Sequence, residues 1–365
     1  MGGESWKSIW RICTILFTTS DRNLDSRHHK KEWYALGKEM AVRMYSEMRQ
    51  GRISFYLTSM GEEAVNIASA AALSSDDISC FSDCCYREPG VLLWRGFTLQ
   101  QFAHQCFVNT NDFGKGRQMP IHYGSNNHNY FTVSSPIANS EHNFLKLLVP
   151  AYSLKMDGKS AFAVTFCGDG HFHAGMNFAA VMEAPVIFIC RNNGWAISTP
   201  VEEQLRSDGI VVKGQAYGIW SIRVDGNDAL AVYSAVHTAR EIAIKEQRPV
   251  LIEALSYRVG HHSTSDDSTK YRAIDEIGKW KEILRIDSKN GLKGMVGGVT
   301  RMNCFFEFVL QLMHAIQVAE KAQKKQEREL RNIIEKLSSN LEEQERELRN
   351  IIEKHPKDYP SDVPL

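Results

Sequence analysis

The feature that most constrains the fold is a pair of short apolar runs that each end in a polar, glycine-containing turn. Residues 161–167 (AFAVTFC) stop at 168–170 (GDG), and residues 185–190 (PVIFIC) stop at 191–194 (RNNG). Both runs are rich in β-branched and aromatic residues and lack polar alternation, which is typical of strands buried on both faces of a parallel sheet. A short helical pattern separates them. The sequence therefore predicts an α/β fold with a doubly wound, mostly parallel sheet.

The two turns carry groups that suit a metal-bound diphosphate. In open α/β sheets, ligands bind outside the carboxyl ends of the strands. Asp169, together with an asparagine at 192 or 193, offers the hard oxygen ligands that Mg²⁺ prefers. The alternative is that GDG and NNG are simply sharp turns between buried strands. Because both turns end strands that one crossover separates, the diphosphate and metal interpretation is favoured.

A third polar loop follows another predicted strand. Residues 220–224 read as a strand, and Asn227 or Asp228 then caps an amphipathic helix that ends near Lys245. The apolar stripe of this helix is Leu230, Tyr233, Val236, Ala239 and Ala243. Residues 249–255 (PVLIEAL) read as a further buried strand, and the histidine-rich segment 257–267 follows it. Strand, helix and strand in alternation indicate a doubly wound sheet. Upstream, the apolar residues of 34–48 recur at helical spacing, and the segment that Thr98 caps is a predicted helix. Residues 60–73 are also a predicted helix, with acidic residues in the first turn that complement the helix dipole.

The C-terminal region has a different character. Phe305, Val309, Leu312, Ile316 and Ala319 form one helical stripe. The segment QERELRNIIEK then occurs twice, at 326–336 and at 344–354, so that both copies present the same helical face. Apolar residues from Leu330 to Ile351 follow the 4-and-3 spacing of a coiled-coil seam, with Gln344 interrupting it. An amphipathic helix lying on its own domain is the alternative.

Composition excludes several classes of function. The chain has 43 basic and 43 acidic residues, so no net charge attracts nucleic acid or an anionic membrane. No apolar run reaches the length that a membrane span requires. We therefore expect neither a nucleic-acid partner nor a membrane partner.

Four segments resemble the α subunits of the thiamine-diphosphate-dependent branched-chain 2-oxoacid dehydrogenases, particularly those of plants. These segments are GDG…EAPVIFICRNNGWAISTP, RSDGIVVKGQAYGI, SIRVDGNDALAVYSAVHTARE and LIEALSYRVGHHSTSDDSTKYR. The resemblance implies the thiamine-diphosphate-binding fold with a C-terminal helical extension. It also implies oxidative decarboxylation of branched-chain 2-oxoacids with acyl transfer to lipoyl groups. A pyruvate-type 2-oxoacid dehydrogenase α subunit is similar in fold and is an alternative.

The resemblance also assigns roles to individual residues. It implies His262 as the catalytic histidine, Asp169, Asn193 and the Trp195 carbonyl as Mg²⁺ ligands, and a set of residues around thiamine diphosphate. That set is Tyr86, Arg87, Ser135, Ile137, Gly168, Gly170, His171 and Arg191. A K⁺ site is implied at Ser134, Pro136, Asn139 and Ser140. Ser263 matches the regulatory phosphorylation site, and Arg258, Asp266, Tyr271 and Arg272 would order its loop.

The same resemblance gives the expected organisation and partners. We expect an N-terminal extension over 1–31, either a remnant targeting segment or an undistinguished extension. An α/β cofactor-binding domain is expected over 32–295 and a helical, partly coiled-coil-like tail over 296–365. A mitochondrial matrix location is implied. The implied partners are a β subunit in an α2β2 heterotetramer, the lipoyl acyltransferase core, and a regulatory kinase and phosphatase.

Several positions depart from the family pattern. His171 follows Gly170 directly, where the family has a short insert. A helical stretch is missing between Met48 and Arg49, Cys85 replaces an expected glutamine, and the C-terminal region is divergent. These internal deletions keep a second hypothesis open, in which the chain is a catalytically defective isoform that acts as an assembly partner.

Overall fold

The structure is a computed structural model that describes residues 50–81, 87–132, 141–168, 173–263, 265–293 and 298–354. The helix expected over 34–48 lies outside these residues. The described strands are β1 (Ile78–Phe81), β2 (Tyr130–Thr132), β3 (Ala163–Cys167), β4 (Val186–Asn192), β5 (Trp195–Ala196), β6 (Thr199–Pro200), β7 (Trp220–Asp225) and β8 (Val250–Leu255). The described α-helices are α1 (Glu63–Ala72), α2 (Pro89–Trp94), α3 (Leu99–Cys106), α4 (Glu141–Met156), α5 (His173–Val181), α6 (Val201–Gln204), α7 (Val211–Ala216), α8 (Ala229–Glu246), α9 (Ile274–Lys293) and α10 (Gly298–Lys354).

Six strands form one sheet in the order β2-β1-β3-β4-β8-β7. Every pairing in this sheet is parallel, and β5 and β6 form a separate antiparallel ribbon. Helices lie on both faces of the sheet, because parallel strands require long crossover connections. The expected α/β fold with a mostly parallel, doubly wound sheet is confirmed.

Two hydrophobic cores sandwich the central strands. Side chains alternate along β4, so that Ile187 and Ile189 lie in one core while Val186, Phe188 and Cys190 lie in the other. Helices α1 and α8 cover the first face, and α4 and α5 cover the second. This double burial is the physical reason that the run at 185–190 has no polar alternation.

The predicted helices and strands differ from the structure in three respects. Strands β1 and β2 were not predicted, because segments of four and three residues are too short for an alternation pattern to be recognised. Strand β4 extends through Asn192, two residues beyond the predicted end. Leu230, expected on the buried stripe of α8, is instead exposed, and Val232 and Ala235 face the core.

Helix starts follow their caps as predicted. The Thr98 side chain accepts a hydrogen bond from the Gln101 amide, and the Gln101 side chain accepts one from the Thr98 amide, which forms a capping box at α3. Of the two candidate caps for α8, Asp228 is the residue that accepts from the amides of Leu230 and Ala231. Among the described helices, none has a segment long and apolar enough to cross a bilayer.

Helix α10 has two different halves. Leu312, Ile316 and Ala319 are buried against the domain, as the first stripe predicts. Beyond them, the seam residues Leu330, Ile334, Leu337, Leu341, Leu348 and Ile351 are 44–61% exposed. The second half of α10 is therefore exposed within the described part of the chain, and its coiled-coil-like seam stays a prediction. Helix α3 contacts the first half of α10, and the described part of the domain does not cover the second.

Candidate functional site

The three chemically rich strand ends lie side by side. Strands β3, β4 and β8 are neighbours in the sheet and run parallel, so Gly168, the end of β4 and the segment after Leu255 share one edge. The Ser256 amide donates to the Asn192 carbonyl at 2.9 Å, so the segment after Leu255 is hydrogen-bonded to the end of β4. The site therefore forms where parallel sheets ordinarily bind ligands.

The side chains of Arg191 and Asn192, the last two residues of β4, point to opposite faces of the sheet and have different partners. Arg191 has the same parity as Ile187 and Ile189, so its side chain lies on the α1 side of the sheet, where it is buried. There it forms ion pairs with Glu88 and, at 3.5 Å, with Glu62. Asn192 points to the opposite face, and its Nδ2 donates to Oε1 of Glu253 at 2.8 Å.

The Arg87 side chain also approaches the Glu62 carboxylate. Its Nη1 lies 3.8 Å from Oε2 of Glu62, the carboxylate oxygen that also approaches Arg191. Its Nη2 donates to the carbonyl oxygen of His262 and lies 3.2 Å from Nδ1 of the same residue. Arg87 thus links the start of α2 to the loop after β8, and it is buried.

Asn193 and Trp195 follow β4 and close the site. The Asn193 Nδ2 donates to Oε1 of Glu62 at 3.1 Å, and its Oδ1 accepts from the Trp195 amide at 3.2 Å. The ring of Trp195 contacts that of Tyr271, with centroids 5.4 Å apart. These contacts support Asn193, rather than Asn192, as the asparagine that faces the site.

The loop around His262 is held by a network of hydrogen bonds. Asp266 Oδ2 accepts from the His262 amide at 2.7 Å and from the Tyr271 hydroxyl at 2.7 Å. Arg258 is buried and donates to the Ile197 carbonyl at 3.1 Å, while its Nη1 lies 3.3 Å from His262 Nδ1. Arg272 donates to the carbonyl oxygens of Arg258 and Gly260.

Electrostatics distinguish the ionisable groups of the site. Burial, followed by the charges of Arg87 and Arg258, lowers the pKa of His262 to about 4. Burial alone would raise the pKa of Glu62, but Arg191, Arg87 and the Asn193 hydrogen bond outweigh burial and keep that pKa below its ordinary value. Burial raises the pKa of Glu88 to about 7, although Arg191 and Arg87 oppose the shift.

Only some of the predicted site residues fall within the described part of the chain. Those present at or beside this cluster are Arg87, Gly168, Arg191, Asn193, Trp195, His262 and Ser263. Tyr86, Ser134, Ser135, Pro136, Ile137, Asn139, Ser140, Asp169, Gly170 and His171 lie outside the described residues. Among the described residues, no group of three His, Cys, Asp or Glu side chains is placed to hold a metal.

Sequence reasoning missed two members of the cluster. Acidic residues in the first turn of α1 were expected to complement the helix dipole, but the Glu62 side chain makes no cap hydrogen bond and faces the arginines instead. Glu88 immediately follows Arg87, and its partner Arg191 is distant in sequence. The only available signal was a carboxylate next to a residue already assigned to the site.

The donor set fits a magnesium diphosphate. Arg87 and Arg191 are permanently charged, planar donors that suit phosphate oxygens. The Asn193 carboxamide oxygen and the Trp195 backbone carbonyl are hard oxygen ligands, which suit Mg²⁺. All of these groups lie at one edge of the sheet, beside the half-buried His262.

The sequence matches the family described as "Dehydrogenase E1 component" over residues 33–294. The chain belongs to this family, and it is accordingly a component of a thiamine-diphosphate-dependent 2-oxoacid dehydrogenase.

Individual relatives agree with this assignment. The "2-oxoisovalerate dehydrogenase subunit alpha 2, mitochondrial" of Arabidopsis thaliana is 56% identical over 358 residues, covering 92% of this chain and 75% of the relative. Subunit alpha 1 of the same plant is 58% identical over 353 residues, covering 90% and 74%. The Homo sapiens subunit alpha is 50% identical over 242 residues, covering 65% and 53%. The resemblance to plant members of the branched-chain group is confirmed.

Proposed function

We propose that the chain is the α subunit of the decarboxylating component of the branched-chain 2-oxoacid dehydrogenase complex, located in the mitochondrial matrix. It carries out oxidative decarboxylation of branched-chain 2-oxoacids with acyl transfer to lipoyl groups, together with a β subunit in an α2β2 heterotetramer. The observation that carries this proposal is the meeting of Arg87, Arg191, Asn193 and His262 at adjacent strand ends. The alternatives, a pyruvate-type subunit and a defective isoform, have no support from the relatives.

Several residues of the chain would hold the cofactor. Arg87 and Arg191 bind the diphosphate, and Asp169, Asn193 and the Trp195 carbonyl bind Mg²⁺. Tyr86, Ser135, Ile137, Gly168, Gly170 and His171 complete the cofactor contacts in this proposal. Ser134, Pro136, Asn139 and Ser140 form a K⁺ site. Bound thiamine diphosphate supplies the carbon nucleophile and the electron sink for decarboxylation.

His262 acts as a neutral hydrogen-bond donor. Both guanidiniums near its Nδ1 can only donate, so Nδ1 accepts and the proton resides on Nε2. With a pKa of about 4, the ring stays neutral at physiological pH. The one proton of the neutral ring therefore lies on Nε2. This N–H group can donate a hydrogen bond to a substrate oxygen and stabilise the negative charge that develops there.

Ser263 is the proposed site of regulatory phosphorylation by the complex's kinase, with a phosphatase reversing it. The Asp266 amide donates to the Ser263 carbonyl oxygen at 3.2 Å, so the Asp266 carboxylate is nearby. A phosphoryl group would add about −2 charge beside that carboxylate. Repulsion would disturb the hydrogen bond that holds the His262 amide, and the lipoyl acyltransferase core would lose access to an ordered site.

The test is a decarboxylation assay of the purified heteromer, co-expressed with a β subunit, using 2-oxoisovalerate and an artificial electron acceptor. We expect activity that depends on thiamine diphosphate and Mg²⁺. The variant Arg191→Gln should lose cofactor binding. Arg223→Gln is the matched control, because that arginine pairs with Glu253 and Asp208 outside the cluster. A folded heteromer that binds no thiamine diphosphate would refute the proposal.

A further inference from the structure

We propose that Glu62 is a positioning residue for the metal and diphosphate end of the site. It fixes the orientation of the Asn193 carboxamide and holds Arg87 and Arg191 at a set spacing. This inference rests on the proposed function, because it assigns Asn193 to Mg²⁺ and the two arginines to the diphosphate.

The Asn193 side chain has two partners that agree on one orientation. A carboxylate only accepts hydrogen bonds, so the contact of 3.1 Å with Glu62 requires the Nδ2 end. A backbone amide only donates, so the contact of 3.2 Å with Trp195 requires the Oδ1 end. Rotating the carboxamide by half a turn would break both contacts. Glu62 thereby keeps the oxygen, the only metal-binding atom of the side chain, on the side away from itself.

The two arginines share one oxygen of Glu62. The Nη1 atoms of Arg87 and Arg191 lie 3.8 Å and 3.5 Å from Oε2. Two buried guanidiniums repel each other strongly at low dielectric unless an anion lies between them. The carboxylate supplies that anion before a diphosphate arrives, so the arginines are already placed when the ligand binds. Preorganisation of this kind reduces the free-energy cost of binding.

The Glu62 side chain makes no hydrogen bond to the amides of its own helix and is available for this role, while its backbone groups have other partners. Its amide donates to the Ser59 carbonyl at 3.0 Å, and its carbonyl accepts from Nδ2 of Asn66 at 3.1 Å. The residue stands at the N-cap of α1, yet its side chain caps no amide of that helix. The adjacent Glu63 carboxylate accepts from the Gly61 amide instead. Two neighbouring buried glutamates therefore face different surroundings, which provides a matched control.

The experiment compares Glu62→Gln with Glu63→Gln in the α2β2 heteromer. Mg²⁺ is titrated at saturating thiamine diphosphate, with binding followed by intrinsic tryptophan fluorescence, and urea unfolding is measured in parallel. Changes to groups that orient metal ligands typically weaken metal binding by about 10- to 100-fold, and we expect that loss for Glu62→Gln. The KM for 2-oxoisovalerate at saturating cofactor should change by no more than about twofold. Glu63→Gln should bind Mg²⁺ as the unaltered protein does.

Each outcome decides the question. If the unaltered heteromer binds cofactor and Glu62→Gln binds Mg²⁺ equally well, the positioning role is overturned while the proposed function stands. If the unaltered heteromer binds no cofactor, both are overturned. If Glu62→Gln does not assemble, Glu62→Asp keeps the charge but shortens the reach to Asn193. Mg²⁺ binding by Glu62→Asp that matches the unaltered heteromer would also overturn the role, and weaker binding would support it.

Discussion

Nη2 of Arg87 lies 3.2 Å from Nδ1 of His262, although the two residues are 175 positions apart in sequence. Because a guanidinium donates and never accepts, this contact assigns the proton of the imidazole to Nε2. The contact of Arg258 with the same nitrogen, at 3.3 Å, has the same consequence. The site therefore holds a neutral histidine with a fixed tautomer, and this state determines how variants and pH should affect the enzyme.

The first prediction concerns pH. Burial and the two arginines lower the pKa of His262 to about 4 from an ordinary value of 6.5, so the ring should stay neutral above about pH 5. The stability that this shift contributes is full above pH 6.5 and is lost as the pH falls toward 4. Nitrogen NMR of histidine-labelled heteromer, with His262→Asn to assign the signal, measures the state directly. An ionisation of His262 near pH 6.5 would contradict the prediction.

The second prediction distinguishes the two ring nitrogens. In His262→Gln, the side-chain amide reaches the position of Nε2 and can still donate there. In His262→Asn, the shorter carboxamide can place its oxygen near Nδ1 but has no donor at the position of Nε2. Loss of a donor to developing charge typically lowers kcat by about 10²- to 10³-fold, and we expect this loss for His262→Asn. His262→Gln should keep clearly more activity. Equal kcat values for the two variants in the decarboxylation assay would refute donor catalysis by Nε2–H.

The third prediction concerns the acidic side chain that orders the loop. Oδ2 of Asp266 accepts from both the His262 amide and the Tyr271 hydroxyl. Asp266→Asn would weaken both bonds because it removes the negative charge of the acceptor. Hydrogen bonds to a charged group contribute about 1.5–3 kcal/mol, so the loop should become sensitive to limited proteolysis and kcat should fall. The neighbouring Asp267→Asn is the control, since the Asp267 carboxylate accepts from the amide and hydroxyl of Thr269 rather than from His262 or Tyr271. Identical proteolysis of both variants would show that Asp266 does not order the loop.

The fourth prediction tests regulation at Ser263. Ser263→Glu places a negative charge close to the Asp266 carboxylate, so it should lower activity by disturbing the loop. Ser265→Glu provides a control, because Ser265 is exposed and its hydroxyl lies 3.2 Å from that of Ser263. Steady-state kinetics of the two heteromers give the comparison. If Ser265→Glu lowers activity as much as Ser263→Glu, a charge anywhere on the loop is sufficient and the specific assignment fails.

The fifth prediction concerns the two halves of α10. Leu312 is fully buried, so Leu312→Ala should lower the free energy of unfolding by about 2–5 kcal/mol. Leu337 is 61% exposed, and Leu337→Ala should change the free energy of unfolding by less than about 0.5 kcal/mol. Urea unfolding of the heteromer measures both effects. A large loss of stability in Leu337→Ala would mean that another surface covers the exposed seam in the assembled protein.

The sequence by itself determined those features that depend on near neighbours along the chain. Apolar runs without polar alternation predicted β3, β4 and β8, because strands covered on both faces need no such alternation. Polar turns after these strands predicted the location of the site, and local capping chemistry at Thr98 predicted the start of α3. The family resemblance then supplied roles for residues such as His262 and Arg191, which spacing alone could not assign.

The tertiary structure alone decided which distant groups meet. Strand β8 lies between β4 and β7 although it follows both in sequence, and this order brings the His262 loop beside Arg191. Glu62 precedes Arg191 by 129 positions, and no local pattern marks it as a partner. Instead, side-chain alternation along β4 sends Arg191 toward α1 and Asn192 toward Glu253. Local periodicity encodes how each segment is buried, whereas the charges that a buried carboxylate faces depend on how the segments pack.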